Sequence, residues 1–290
     1  MTATRVSSVA DSVRAAAADL KAAGVPSPQA DAELLAAHVL GVRRGAIHLA
    51  NWSGDQASEF AALVQQRAAR VPLQHLTGAA PFRTIELAVG PGVFIPRPET
   101  EAVLDAALGR LTGPGTVVDL CSGSGAIALA IACERADMSV HAVEADPVAV
   151  DWLQRNAAAH RDLLAPGSTV QVHHARAAEV AEGELAGLVA AVDLVISNPP
   201  YIPDGAVPRD PEAAEHDPAV ALFGGTDGMD VIRDVAQQAA RLLRVGGRVV
   251  IEHGEQQATQ VRTVLAGAGL TELESGLDLA GRPRWSGGRR

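Results

Sequence analysis

The chain has 290 residues, a formal net charge of −10 and only two cysteines. An acidic chain is poorly suited to a broad grip on nucleic acid phosphates, and two cysteines cannot build a disulfide framework or a cysteine-rich zinc cluster. The sequence has no uninterrupted apolar stretch long enough to cross a membrane and no apolar leader, so we expect a cytoplasmic protein without a membrane partner.

Residues 1–75 carry helical patterns and no catalytic constellation. Alanine-rich and apolar residues recur at helical spacing in residues 7–23 and 28–40, and each segment ends at a glycine. Ser53 can cap a third helix that reaches about residue 70. Serine and glycine commonly stand at the beginnings and ends of helices. We expect a small helical domain that recognises the substrate, with a purely packing role as the alternative.

Residues 76–100 are predicted to form a hairpin linker. Residues 82–89 partly alternate apolar with polar side chains, a Gly-Pro-Gly turn follows, and residues 93–95 are apolar again. This pattern favours two short strands joined at the glycines. The following Pro-Arg-Pro-Glu-Thr-Glu predicts an extended arm, in which Thr100 or its acidic neighbours cap the next helix.

From residue 101 to residue 290 the pattern alternates strands, turns and helices. Predicted strands lie at residues 116–120, 139–144, 169–173, 192–197 and 247–252, with weaker ones at 270–274 and 284–285. Alternating units of this kind with short connections form a doubly wound, mostly parallel sheet. We therefore expect an α/β domain with a seven-stranded sheet that follows the small N-terminal helical domain.

The first predicted strand runs into a glycine-rich loop and then a helix. The loop consists of Cys121, Ser122, Gly123, Ser124 and Gly125. Glycines let a ligand approach the backbone, and a helix N-terminus offers free N–H groups. Glu144 ends the next strand and can accept both ribose hydroxyls, which also fits a nicotinamide cofactor. Asp119, before the loop, can hold an ammonium group through a water or a backbone amide, and this favours S-adenosylmethionine.

A second ligand-facing segment follows the strand at residues 192–197. It consists of Asn198, Pro199, Pro200 and Tyr201. Two prolines fix φ and lack N–H groups, so the backbone leaving the strand is stiff. Asn198 Oδ1 and the Pro199 carbonyl can each accept one N–H of a planar NH2 group, while Tyr201 covers one face. We assign Asn198, Pro199 and Tyr201 to catalysis, residues 198–201 to the acceptor, and Asn198 also to the cofactor.

These motifs together resemble those of the protein glutamine N5-methyltransferases of the HemK/PrmC type. The matching segments are residues 94–101, 119–126, 198–202, 221–228 and 252–254. Asn-Pro-Pro-Tyr alone is shared with DNA adenine N6-methyltransferases, whereas residues 94–101 and 221–228 point to the protein-modifying branch. The resemblance implies the fold of class I S-adenosylmethionine-dependent methyltransferases. It also implies methyl transfer to a protein glutamine, which in the best known substrate lies in the Gly-Gly-Gln loop of a peptide chain release factor.

The sequence departs from the family pattern at several positions, among them Ala175 and Arg176, where family members often have an acidic or aromatic residue near the adenine. Cys121 stands where the family usually has glycine, and Glu144 stands where it usually has aspartate, as would suit a divergent paralogue. Residues 223–228 fit either a mobile lid or a surface turn. A DNA adenine methyltransferase, a nicotinamide-binding oxidoreductase and a non-catalytic binding module remain alternatives. No metal site or stable nucleic acid partner is expected, and the pattern specifies no oligomeric state.

Overall fold

The computed structural model describes residues 8–290, and the chain divides into two compact units. The first unit runs to Ala79 and also includes residues Arg209–His216; the second contains Ala80–Pro208 and Asp217–Arg290. The chain therefore leaves the second unit, contributes a short segment to the first, and returns. No feature of the sequence pattern predicts this exchange.

The first unit is helical. Up to Ala79 its helices are α1 (Val9–Ala22), α2 (Pro28–Leu40), a short 3-10 helix (Arg44–Leu49), α3 (Gly54–Ala68) and α4 (Leu73–Thr77). The predicted caps are confirmed: Gly41 ends α2 in the left-handed conformation, and Ser53 begins α3 in a capping box with Gln56. The predicted start of α1 at residue 7 lies outside the described residues.

A buried arginine ties residues 209–216 into the first unit. The side chain of Arg67 is only 4% exposed, and it donates to Asp31 and to Glu212 at 2.7 and 2.8 Å. Arg70 also pairs with Glu212, at 2.9 Å. Removing one partner of a buried ion pair leaves the other charge uncompensated. This network therefore fixes the short segment within the helical unit.

The second unit contains the predicted α/β sheet. Its first elements are β1 (Ala79–Phe82), β2 (Ile85–Ala88), α5 (Pro98–Leu108), β3 (Gly115–Leu120), α6 (Ala126–Glu134), β4 (Met138–Glu144), α7 (Pro147–Ala159), β5 (Thr169–His174) and β6 (Val192–Ser197). After α8 (Pro211–His216), which belongs to the first unit, come α9 (Ala219–Leu222), α10 (Asp230–Leu242), β7 (Leu243–Glu252), α11 (Ala258–Gly267), β8 (Thr271–Leu277) and β9 (Pro283–Arg289).

Over the described residues the sheet has seven strands in the order β5-β4-β3-β6-β7-β9-β8. Only β9 runs antiparallel to its neighbours β7 and β8. The predicted fold class, doubly wound and mostly parallel, is confirmed. The chain moves outward from β3 in one direction and from β6 in the other, so the order reverses between these two strands. Ligands of open α/β sheets bind at such a switch point, beyond the carboxyl ends of the strands.

The predicted hairpin is wrong in position along the chain. The two paired strands are β1 and β2, whose turn contains Arg83, and residues 93–95 form no strand. Arg83 has φ 52°, a left-handed conformation that sequence patterns rarely suggest for arginine. Its guanidinium donates to Glu134 and Asp105, and its N–H donates to Glu101. Contacts with residues far away in the sequence thus stabilise a turn that the local sequence pattern does not predict.

The predicted capping role of Thr100 is also wrong. Helix α5 begins at Pro98, with Arg97 as the residue before its first turn, and no side chain caps it. Proline is well placed at a first helical position because its missing N–H would have no partner there. The Thr100 side chain is therefore free for another contact, and it donates to Glu252.

Candidate functional site

A cavity of the second unit opens at the carboxyl ends of β3, β4 and β6. Its walls include most of the residues predicted for the cofactor and the acceptor: Cys121, Ser122, Gly123, Ser124, Glu144, Asn198, Pro199, Pro200 and Tyr201. The sheet therefore brings together three segments that the sequence places far apart. Gly125 and Asp119 are buried and lie outside this lining.

The glycine-rich loop adopts backbone conformations that favour glycine. Cys121, Gly123 and Gly125 all have positive φ, at 63°, 56° and 91°. A side chain at Gly123 would meet open space, whereas one at Gly125 would come within 2.6 Å of Leu153. Gly123 thus leaves its backbone open to a ligand, and Gly125 lets α6 pack closely. The left-handed conformation of Cys121 also explains why glycine suits this position.

The Glu144 carboxylate accepts hydrogen bonds from the backbone N–H groups of two segments beside the cavity. Its Oε2 accepts the N–H of Gly123 at 2.8 Å, and its Oε1 accepts those of Ala145 and Asp146 at 2.7 and 2.9 Å. A carboxylate offers about four acceptor positions, so three are already used. One acceptor position of the carboxylate therefore remains for a ligand beyond its contacts with the backbone.

Asp119 lies beneath the glycine-rich loop. Its Oδ2 accepts the N–H of Ala128 at 3.2 Å, and its buried Oδ1 has no hydrogen-bond partner among the described residues. Burial raises the pKa of the Asp119 carboxyl to about 7. This oxygen can accept a hydrogen bond that connects it to a cationic group of a ligand. Because Asp119 does not line the cavity, the connection must pass through an intervening group.

The raised pKa of Asp119 makes a testable contribution to stability. Between its ordinary value near 4 and about pH 7, the folded protein keeps a proton that the unfolded chain loses. This group therefore lowers the free energy of unfolding as pH rises through that window, by at most about 1.4 kcal/mol per pH unit. We expect Asp119→Asn to lack this slope. Urea titrations of both proteins at several pH values check it, and parallel curves would refute the assignment.

The acceptor segment begins where β6 ends. The Asn198 side chain donates through Nδ2 to Thr100 Oγ1 at 3.3 Å, while its Oδ1 has no partner among the residues described. The Tyr201 hydroxyl faces Glu252 Oε1 at 3.4 Å, and burial raises the Tyr201 pKa. The cavity is thus lined by an asparagine with an unpartnered amide oxygen, a proline-stiffened backbone and a tyrosine.

Residues 223–228 pack against the backbone of the acceptor segment. A side chain at Gly224 would come within 2.4 Å of the Pro200 carbonyl, and one at Gly228 within 2.2 Å of the Tyr201 carbonyl. Ile202 exchanges backbone hydrogen bonds with Leu222 and Gly224, both at 2.9 Å. The surface turn is confirmed at the tip, where Thr226 and Asp227 are exposed, and the mobile lid stays a prediction. The flanking Gly224 and Gly228 are buried and pack on the acceptor backbone.

Sequence reasoning missed Thr100 as a site residue. Thr100 lines the cavity, whereas Glu252, in the segment 252–254 that resembles the family, does not line it and contacts Thr100 and Tyr201. No cluster of histidine, cysteine or acidic residues in the described part of the chain could hold a metal ion. None of the helices from residue 8 onward is long and apolar enough to cross a membrane.

Comparisons with known proteins match both units. The family models "PrmC N-terminal domain" and "Methyltransferase small domain" match residues 11–78 and 100–210. The chain is 49% identical to a release factor glutamine methyltransferase of Mycolicibacterium smegmatis, covering 94% of each chain. It is 45% identical to the protein of the same name from Streptomyces coelicolor, covering 92% of this chain and 93% of that one.

A solved structure shows the fold as well. The match to a methyltransferase from Pyrococcus furiosus has a TM-score of 0.51 at 17% identity and covers 80% of this chain and 98% of that one. At this identity the likeness concerns the fold alone.

Proposed function

Because the chain belongs to the family of release factor glutamine methyltransferases, we propose that it methylates a peptide chain release factor. The methyl group goes from S-adenosylmethionine to the side-chain amide nitrogen, N5, of the glutamine in the Gly-Gly-Gln loop. One observation supports this most: Asn198, whose Oδ1 has no partner among the described residues, and Pro199 line the same cavity as the glycine-rich loop.

The cavity suits S-adenosylmethionine. Gly123 leaves the loop backbone open, Glu144 keeps one acceptor position, and the buried Asp119 Oδ1 lacks a partner among the described residues. When bound, the cofactor supplies an electrophilic methyl group on a sulfonium. We propose that Glu144 receives a ribose hydroxyl, that Asp119 offsets the ammonium group from beneath the loop, and that residues 121–124 hold the methionine portion.

The acceptor residues act by positioning. An amide nitrogen is a weak nucleophile because its lone pair is delocalised into the carbonyl. Asn198 Oδ1 and the Pro199 carbonyl accept its two N–H groups and hold the nitrogen in a near-attack geometry. The same two oxygens stabilise the positive charge that grows on nitrogen, and Tyr201 covers the face of the amide. The proton leaves to water after the methyl group has moved.

Adenine also presents a planar NH2 group, so a DNA methyltransferase is the closest rival. The family membership and the net charge of −10 both disfavour it. We propose that the protein binds no nucleic acid stably and that it works in the cytoplasm, where release factors meet the ribosome. Incubation of a cell extract with enzyme and methyl-labelled S-adenosylmethionine tests this: the label should enter protein. Label in DNA or RNA alone would overturn the proposal.

We propose that residues 1–75, which form most of the helical unit, help select the release factor. Deleting it would also remove Arg67 and Arg70, the partners of Glu212, so a surface change is the cleaner test. Leu49 is 77% exposed, the most exposed large apolar side chain described in this unit. Leu49→Asp should lower kcat/KM for the release factor about tenfold, the effect of losing one apolar contact at an interface.

The matched control for Leu49→Asp lies in the second unit. Val245 is 84% exposed, and Val245→Asp should leave kcat/KM near the value of the unaltered enzyme. Both variants should bind S-adenosylmethionine normally in calorimetry. If Leu49→Asp methylates the release factor as fast as the control variant does, the proposed recognition role of this surface is wrong.

A further inference from the structure

A line of hydrogen bonds runs from a buried carboxylate to the acceptor residue. Thr100 Oγ1 donates to Glu252 Oε2 at 2.8 Å, and Asn198 Nδ2 donates to Thr100 Oγ1 at 3.3 Å. Glu252 ends β7, Thr100 stands in the first turn of α5, and Asn198 follows β6. Thr100 is 4% exposed and Glu252 is 2% exposed. The three side chains thus form one connected and mostly buried path.

The chemistry of these groups fixes the direction of each bond. A carboxylate only accepts hydrogen bonds, whereas a hydroxyl has one proton to donate. With the Thr100 proton committed to Glu252, Thr100 Oγ1 can only accept from Asn198. The Asn198 amide must then present its NH2 to Thr100, and its Oδ1 is turned to the opposite side.

We propose that Glu252 and Thr100 orient the Asn198 amide so that Oδ1, and not the NH2, receives the acceptor nitrogen of the glutamine. Both are positioning residues that act through Asn198. The two orientations of an asparagine amide have nearly the same shape, so packing alone discriminates poorly between them. The reversed orientation would set NH2 against NH2 and would remove an acceptor from the nitrogen on which positive charge develops. This inference rests on the proposed function of the site.

The surroundings of Glu252 make the orientation sensitive to pH. This carboxyl is surrounded by Thr100 and Glu99 of α5, by Tyr201 and by Arg284 of β9. Burial raises its pKa to about 7, and the charge of Glu99 adds to the rise. The hydrogen bonds from Thr100 and Tyr201 and the charge of Arg284 lower the pKa. Arg284 also pairs with Asp278 at 3.2 Å. A protonated Glu252 can donate to Thr100, which frees the Thr100 proton to point at Asn198. The fixed orientation is then lost as pH falls.

The decisive substitution is Thr100→Val, which replaces the hydroxyl by a methyl group of similar size. We expect kcat for release factor methylation to fall at least about tenfold, because the Asn198 amide is no longer held in one orientation. The Kd of S-adenosylmethionine should stay within about twofold. Thr100→Ser, which keeps the hydroxyl, should rescue most of kcat. Thermal melting of each variant verifies that it is folded.

Two further readouts separate orientation from a merely structural role. The double variant Thr100→Val with Asn198→Ala should be no slower than Asn198→Ala alone, since both changes remove the same interaction. In the unaltered enzyme, the contribution of the Glu252 carboxylate should make kcat rise with pH through about 7, and Thr100→Val should lose that rise. Glu252→Gln, which retains an oxygen for Thr100 but does not titrate, should lose it too.

The outcomes are distinguishable. A wild-type kcat in Thr100→Val, or additive losses in the double variant, would overturn the orienting role. If the unaltered enzyme binds S-adenosylmethionine but methylates no release factor, the proposed function fails instead. If Thr100→Ser is as slow as Thr100→Val while both are folded, a hydroxyl at this position is not what matters and the inference is wrong.

Discussion

Asn198→Ala is expected to lower kcat at least about a hundredfold while the Kd of S-adenosylmethionine stays within severalfold. The Asn198 side chain lines the cavity, and its Nδ2 donates to Thr100 Oγ1. Contacts that position a reacting group and stabilise developing charge are worth several kcal/mol in the transition state. Calorimetry and a methyl-transfer assay on the same preparation measure both quantities.

Asn156 offers a matched control for that substitution. It is buried, and its Nδ2 donates to the carbonyls of Ala88 and Ser124, both at 2.9 Å. Asn156→Ala should therefore lower stability and weaken cofactor binding through the Ser124 loop, with a smaller effect on kcat. If Asn198→Ala instead abolishes cofactor binding and leaves the turnover of bound enzyme normal, its assignment to the acceptor is mistaken.

Glu144→Ala is expected to weaken S-adenosylmethionine binding by about 1.5–3 kcal/mol, the range for hydrogen bonds to a charged group. The loss has two sources. The variant lacks the acceptor proposed for a ribose hydroxyl, and it also frees the N–H groups of Gly123 and Asp146 that Glu144 now holds. Calorimetric titration with the cofactor measures the change in Kd.

Glu144→Asp is the natural control, because it keeps the carboxylate at this position. Its carboxylate is shorter by one methylene group, so we expect a smaller loss of affinity than in Glu144→Ala. Neither variant should change the kcat reached at saturating cofactor by more than a few fold. An unchanged Kd in Glu144→Ala would show that the end of β4 does not bind the cofactor.

The sequence predicts well those elements whose signals are local. The strand at residues 192–197 has the predicted bounds, and the helix predicted after the glycine-rich loop begins at Ala126. An apolar run with β-branched residues predicts a strand, and a glycine loop followed by alanines predicts a helix. Neither prediction depends on residues far away in the sequence. The carboxyl ends of parallel strands then bring the predicted loops to a common edge, which is why residues 121–124, 144 and 198–201 line one cavity.

The features that the sequence hides depend on distant partners. Arg83 forms a turn because Glu134, 51 positions away, binds its guanidinium. Thr100 faces Glu252, 152 positions away, rather than capping its own helix. Glu212 belongs to the helical unit through Arg67, 145 positions earlier. Gly224 packs on the Pro200 carbonyl. A single sequence gives no signal for any of these pairings, because each depends on a fold that brings the partners together.

Tandem mass spectrometry of a full-length release factor tests the central claim most directly. The protein is incubated with enzyme and methyl-labelled S-adenosylmethionine, and fragment ions locate the added methyl group. We expect a single label on the glutamine of the Gly-Gly-Gln loop, absent when the enzyme carries Asn198→Ala and absent when that glutamine is replaced by alanine. A label on another residue, or one that persists after that glutamine is replaced, would contradict the account.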